Sequence, residues 1–430
     1  MIKYKKYIIY FICSVLIWTL LSSLSILYNP FLSFDESVYI CIGRALNNGK
    51  IMYADIYDTK GPIWYILCHL IVKIPINPIY TWFIFDCIIN FCIIVMFDKI
   101  LSIKKETNFI LPIALNIGIF TIVSKFPDCS EYKTLPIQLY IVYTIIDTLE
   151  QNKSLQKKKL YIIGLLFGIL FFIKYTLIIT PFTFLVYYFI KQRLKSLLYV
   201  IYGGLSICCM VILKLIVENS FTDYINVQKS IIFNHTVHNL QRQSVLFIII
   251  LFVLIFFYLC IELIWRQNIY RLLLIVNVII ILLINPVIYY LIPLYIFLPV
   301  FYYDIDTFNI KQKLLIVSLV IINLIWSFYY IQKISLLEDK FLYYIYNQIS
   351  SYDSIYVTQL PQYYAYANKE LPLYFDYYAS EDDFNNEISN AINSNQYEYL
   401  FITKYYKKDI PKNYKEIKNY YNEYTLYQKE

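Results

Sequence analysis

Charge is scarce in this sequence. Only 16% of its 430 residues are Asp, Glu, Lys or Arg, against about 25% in a soluble globular protein. Glycine and proline are few, at 8 and 14 residues, which excludes a collagen-like or low-complexity chain. Histidine occurs three times, as His69, His235 and His238. The last two form His-x-x-His, but no nearby Cys or carboxylate completes a metal site, so they read as loop histidines. Nine cysteines lie mostly inside apolar runs without a C-x-x-C spacing. That excludes a disulfide-stapled secreted module and gives no zinc motif.

Apolar and aromatic side chains fill the space that charge leaves. Hydrophobic residues make up 59% of the chain and aromatic residues 19%, including 48 Tyr and 30 Phe. A mean hydropathy of +0.54 over this length excludes a cytosolic enzyme and a disordered chain. It points to a polytopic α-helical membrane protein. The net charge of +7 is then a matter of position, because cytoplasmic loops collect Lys and Arg. The Tyr-rich stretches lack the interleaved Arg that stacking on bases favours, so no nucleic-acid partner is expected.

Basic clusters set the expected topology. Lys3, Lys5 and Lys6 precede an apolar run over 7–27, too long for a signal-peptide core and without a small-residue cleavage site. Further clusters fall at Lys99 with Lys104 and Lys105, at Lys153 with 157–159, at Lys191 with Arg193 and Lys195, at Arg266 with Arg271, and at Lys311 with Lys313. If all face the cytoplasm, each consecutive pair brackets two spans. The apolar runs oblige at 79–98, 108–125, 134–149, 160–174, 177–190, 196–216, 246–264, 271–285, 287–303 and 314–332. With the first run this makes about 11 transmembrane helices, the N-terminus inside and the C-terminus outside. Residues 61–76 reach only about 24 Å as a helix, short of a hydrocarbon core of about 30 Å. They are expected to lie at the outer surface instead.

The expected division is a membrane domain over 1–333 and a small extracytoplasmic α/β domain over 334–430. In the latter, 354–360 and 399–404 read as strands. Residues 381–393 read as an amphipathic helix with Phe384, Ile388 and Ile392 on one face. Within the bundle, Gly164-x-x-x-Gly168 predicts a close helix contact. Asp86 lies deep enough in its apolar run to predict a polar contact inside the bundle. Lys174, at the outer end of a span, reads as snorkelling or as a substrate contact.

The first outer loop, 28–78, carries the densest polar set. Ser33 with Glu36 three residues on is a capping box. Phe34, Val38, Ile42 and Leu46 then recur at helical spacing, and Gly49 supplies a stop. A juxtamembrane helix is therefore expected, with Asp35 and Glu36 in its first turn. Capping explains Glu36 well and Asp35 less well, since Ser33 already caps. Asp55, Asp58 and Lys60 crowd into the stretch before Gly61-Pro62, as an exposed polar loop or as part of a site. The second outer loop, 126–133, places Asp128 and Glu131 at the outer ends of two spans.

Asp35-Glu36 after a first span, Tyr53-x-Asp55, Lys60-Gly-Pro62 and an acidic second outer loop together resemble the polytopic glycosyltransferases of the GT-C class. The similar branches are the protein O-mannosyltransferases, the lipid A aminoarabinose transferases and the RgtA/B/C/D-like sugar transferases. The motifs cover about residues 1–140, and the alternating spans with an outer C-terminal domain extend the likeness loosely to the whole chain. The resemblance implies a transferase in the plasma (inner) membrane, with its active site on the extracytoplasmic face. It would use a polyprenyl-phosphate-linked sugar and an acceptor glycan, lipid or protein, with membrane lipid around it. Asp35 takes the place of the general base, Glu36 that of its partner in the motif, and Lys60 that of the donor-phosphate contact. Glu131 takes that of the second-loop acid, with Asp128 as the other choice. Asp55, Asp58 and Asp128 stand as further substrate-binding candidates. Arg242, in the outer loop 218–245, is one from its location alone. The sequence departs from the pattern late in the bundle, where relatives carry a His-Tyr pair and this chain has only Tyr289 and Tyr290.

The chemistry fits these assignments. A lipid phosphate leaves readily, and a fixed cation in a poorly hydrated site stabilises the charge that develops. A carboxylate within hydrogen-bond reach takes the proton of an attacking hydroxyl. One base and direct displacement predict inversion. No D-x-D pair occurs in the outer loops and no Gly-rich phosphate loop occurs at all, so neither metal nor cofactor is expected. A lipid-linked sugar transporter and a polysaccharide polymerase are the competing readings. Transporters show internal repeats with broken helices, and no convincing repeat is present. Polymerases carry a large late loop, whereas the polar density here is early.

Overall fold

The computed structural model describes residues 2–22, 24–25, 34–56, 58–123, 126–192, 196–230, 269–284 and 288–302. Beyond these it describes single positions within 317–329, parts of 347–366 and 389–403, and residues 410–420 and 424–430. The described chain is largely helical with a small sheet. Three of its helices are long and apolar enough to cross a membrane, within Tyr4–Leu21, Pro78–Leu101 and Leu197–Val217.

The helices in chain order are α1 (Ile2–Leu21), α2 (Phe34–Asn47), α3 (Pro62–Lys73), α4 (Pro78–Leu101), α5 (Ile110–Gly118), α6 (Phe120–Val123), α7 (Ser130–Lys133), α8 (Leu135–Glu150), α9 (Lys157–Ile173), α10 (Ile179–Lys191), α11 (Leu197–Val217), α12 (Phe221–Ser230), α13 (Ile269–Ile284), α14 (Phe297–Tyr302) and α15 (Pro361–Tyr366). α3 has 12 residues, about 18 Å at 1.5 Å per residue, too short to span. Pro62 opens it at a position whose N–H has no helical partner anyway.

α1 and α4 form an antiparallel pair. Lys6 meets Asp98 at 2.6 Å near one end, and further along Ser14 Oγ donates to the Cys87 carbonyl at 2.6 Å. Asn90 Nδ2 donates to the Ser14 carbonyl at 3.1 Å. Asn90 Oδ1 in turn accepts from Asn116 at 2.9 Å and from the Tyr132 hydroxyl at 3.0 Å. One buried amide thus joins α1, α4, α5 and α7, as expected where water is absent and polar groups must satisfy one another.

Two of the expected spans are interrupted helices. Residues 108–125 divide into α5 and α6 around Ile119, just after Gly118, whose missing side chain weakens helix continuity. Residues 287–303 divide into a 3-10 segment, Ile288–Ile296, and α14. Pro293 inside that segment cannot donate a backbone hydrogen bond. The apolar run 246–264 lies outside the described residues, and 314–332 is described only at single positions.

α9 and α11 pack most closely, through glycines. A Cβ on Gly164 would lie 2.1 Å from the Val200 carbonyl oxygen, and one on Gly203 would lie 2.1 Å from the Tyr161 carbonyl oxygen. Gly168 faces the Ile207 side chain. The contact expected from Gly164 and Gly168 is therefore present, and Gly203 on the partner helix completes it. Backbone oxygens cannot rotate away as side chains can, so Gly203→Leu has to separate the helices. We expect it to cost about 1–3 kcal/mol or more, read as a lower unfolding midpoint in detergent. An unchanged midpoint would mean the helices do not approach this closely.

Near the C-terminus four strands form one sheet in the order β1 (Ile355–Val357), β2 (Tyr399–Thr403), β4 (Tyr424–Lys429), β3 (Tyr414–Tyr420). β1 and β2 are parallel; β2 with β4 and β4 with β3 are antiparallel. β1 and β2 match the two expected strands. β3 escapes sequence reading because Tyr414 and Tyr420 are its buried residues while 415–419 are exposed, so no two-residue alternation exists. Of the expected helix 381–393 only Ser389, Ile392 and Asn393 are described, and these are helical.

Candidate functional site

α2 begins as the sequence predicts, with Asp35 and Glu36 in its first turn, and ends before Gly49 at φ +87°. Only glycine takes that conformation without strain. Ser33, the expected cap, lies outside the described residues. Asp35 is half-buried, whereas Glu36 is only 1% exposed. The two neighbours point differently because successive helix positions lie about 100° apart.

An aromatic floor lies under this turn. Tyr39 of α2 meets Trp64 of α3 edge-on at 5.2 Å, and Trp82 of α4 lies 6.2 Å from each. The Tyr39 hydroxyl donates to Asp35 at 3.4 Å. Burial, with Asp35 alongside, keeps the Tyr39 phenol well above its ordinary pKa, so it remains a donor.

The loop 50–61 is held by Asp58. One of its carboxylate oxygens accepts from Thr59 N at 2.5 Å, Lys60 N at 3.2 Å and the Tyr65 hydroxyl at 2.6 Å. Tyr53, at a positive φ of 72°, donates its hydroxyl to the Lys60 carbonyl at 2.7 Å. Asp58 therefore shapes the backbone that carries Lys60. The Lys60 ammonium lies 5.9 Å from the Tyr39 ring centroid. Gly61 seats the loop on the end of α9, where its N–H donates to the Ile173 carbonyl at 2.9 Å. A Cβ there would lie 2.0 Å from the Phe172 carbonyl oxygen, so no other residue fits. Asp55 points elsewhere: it is exposed and caps the turn by accepting from Ile51 N at 2.7 Å.

The loop 126–133 closes the other side. Lys133, at the end of α7, is buried and lies 2.5 Å from Asp86 of α4, both side chains 1% exposed. Its ammonium also lies 4.7 Å from the Trp82 ring centroid, a cation–π distance. Burial pushes the Lys133 ammonium down, but Asp86 and Glu36 outweigh it and hold its pKa above the ordinary value. Glu131 pairs with Lys174 at 2.6 Å and accepts from Ser130 Oγ at 3.1 Å. Of the two second-loop acids, half-buried Asp128 is the one in the field of Glu36, Tyr39 and Lys133.

These elements bring Asp35, Asp58, Lys60 and Asp128 around Tyr39, set buried Glu36 near Lys133 and Asp128, and leave Asp55 aside. Glu131 and Lys174 stand beside them as a closed ion pair. Arg242 lies outside the described residues. Lys133 was missed. Its signal was the deep Asp86, which needs a cation, and the nearest basic residue at the same level is the lysine that ends the second loop. Among the described residues no three His, Cys, Asp or Glu side chains are arranged to hold a metal ion. Comparison with protein-family models, with curated proteins and with solved structures finds no match.

Burial pushes the Glu36 carboxyl up to about 8; Lys133 opposes this, and Asp86 and Asp128 add to it. A carboxyl raised on folding binds its proton more tightly in the native state, so its contribution to stability falls as pH rises. Relative to Glu36→Gln, the wild-type unfolding midpoint should therefore fall between about pH 5 and about pH 8. Parallel pH curves for the two proteins would show that Glu36 is not buried among these charges.

Proposed function

We propose that this protein is a membrane glycosyltransferase. It moves a sugar from a polyprenyl-phosphate donor to an acceptor hydroxyl at the outer membrane surface. The observation that carries the reading is the meeting of Asp35, Lys60 and Asp128 around Tyr39 on a floor of buried tryptophans. The resemblance of the first 140 residues to GT-C enzymes agrees with it. In this reading the membrane domain, 1–333, has about 11 spans with the N-terminus inside, and 334–430 is an outer domain. Lys6 and Asp98 meet at the end of α4 away from Asp86, where positive-inside topology puts cytoplasmic charge.

Asp35 accepts the proton of the acceptor hydroxyl as it attacks the anomeric carbon. Tyr39 orients that carboxylate. Lys60, on a backbone locked by Asp58, Tyr53 and Tyr65, stabilises the departing lipid phosphate. The apolar floor excludes water, which strengthens that interaction. Asp128 binds the donor or acceptor. Buried Glu36 shapes the field rather than touching substrate, and Glu131 holds Lys174 at the end of α9. Single displacement gives inversion.

The test is turnover in proteoliposomes with a panel of polyprenyl-phosphate sugars and mixed envelope acceptors. Release of polyprenyl phosphate with label on a new acceptor is the expected result. Flux of intact lipid-linked sugar across the bilayer, without transfer, would replace this reading with transport.

A further inference from the structure

The C-terminal sheet is tied to the helix that carries the candidate base. Arg44, in the last turn of α2, donates through one guanidinium nitrogen to the carbonyls of Tyr364 at 3.2 Å and Ala365 at 2.9 Å. These carbonyls belong to the last described turn of α15 and point along its carbonyl-bearing, partially negative end. α15 is in turn locked to β1: the Tyr364 hydroxyl accepts from Val357 N at 2.9 Å and donates to the Val357 carbonyl at 3.0 Å. Tyr363, Tyr364 and Ala365 are all buried. A continuous hydrogen-bonded path therefore runs from the sheet through Tyr364 to Arg44.

The adjoining face of α2 is packed as well. A Cβ on Gly43 would lie 2.6 Å from the Cys68 carbonyl oxygen and 2.7 Å from Val72 Cγ2 of α3. α2 is thus clamped at its C-terminal end between α3 and α15. Asp35 lies nine residues back from Arg44, about 13 Å along the same rigid helix. A small tilt at the clamp becomes a displacement of the carboxylate, and misplacement by about 1 Å costs on the order of 100-fold in rate.

We infer that Arg44 is a positioning residue, through which the C-terminal sheet domain fixes the α2 helix and hence the placement of Asp35. The domain is then a working part of the site, not an appendage. The inference rests on the function proposed above for its kinetic consequence but not for its structural one. Any ligand that moves the sheet would change turnover through the same path.

The experiment compares full-length wild type, Arg44→Ala, Arg44→Lys and Tyr364→Phe in lipid nanodiscs by amide hydrogen exchange, alongside turnover. Arg44→Ala is expected to speed exchange in both α15 and α2 while α9 and α11 stay unchanged. It should lower kcat at least about 10-fold at near-constant donor KM. Arg44→Lys, which keeps a donor, should recover part of both. Tyr364→Phe, which leaves α2 untouched in sequence, should also loosen α2. Faster exchange confined to α15 would overturn the inference, as would loosening of α2 with unchanged kcat. If wild type transfers no sugar, the proposed function fails, and coupled exchange in α2 and α15 alone decides the clamp.

Discussion

Asp35→Asn is expected to lower sugar transfer by about 100-fold or more with little change in donor KM. The substitution keeps size and the ability to accept from the Tyr39 hydroxyl, so the first turn of α2 should stay in place. What it removes is basicity: an amide oxygen does not take a proton from an attacking hydroxyl at neutral pH. Loss of rate with KM preserved marks an interaction made in the transition state. Asp35 is the carboxylate suited to this, because Glu36 beside it is buried and Glu131 is engaged by Lys174. A fall confined to KM would make Asp35 a binding group. An unaffected rate would move the base to Asp128, the half-buried second-loop acid near Tyr39.

The largest effect on stability is expected at Lys133. Lys133→Met leaves Asp86 buried in the helix bundle without its closest cation, a change that costs about 3–5 kcal/mol in comparable cases. The double change Lys133→Met with Asp86→Leu removes both charges and should restore much of the loss, since a buried ion pair is often no better than apolar packing of similar volume. Unfolding midpoints of the two singles and the double in detergent measure this coupling. Additive losses would show that the two side chains do not depend on each other. The double variant also separates two roles. If it is stable but inactive, the pair sets the field around Glu36 and Asp128. If it is stable and active, the pair serves only to join the second loop to α4.

The helical architecture was legible because apolar runs of membrane length leave little choice of structure. Water-free surroundings force the backbone to satisfy its own hydrogen bonds. The short run before Lys73 was legible as a short apolar helix, and its 12 residues form one. Interruptions at Ile119 and Pro293 were less so, because a single glycine or proline breaks a membrane helix only in some packing contexts. β3 and β4 were missed because they are Tyr- and Lys-rich without a clear apolar alternation. The loop around Lys60 was recognised as a motif, but the motif could not say that Asp58 builds the backbone while Asp55 caps a turn.

The sequence by itself determined the apolar, largely helical character, the first turn of α2, the short α3 and the acidic, Lys-Gly-Pro-bearing first loop. These follow from composition and local spacing, which act over a few residues. Only the tertiary structure decided which charges share a site. Lys133 and Asp86 are 47 residues apart in the chain and 2.5 Å apart in space. Arg44 reaches carbonyls more than 300 residues away. Gly61 is required by the end of α9, a partner no local pattern reveals. Such pairings arise when helices pack and buried charges seek counter-charges in low dielectric, and that energy depends on distance in space rather than along the chain.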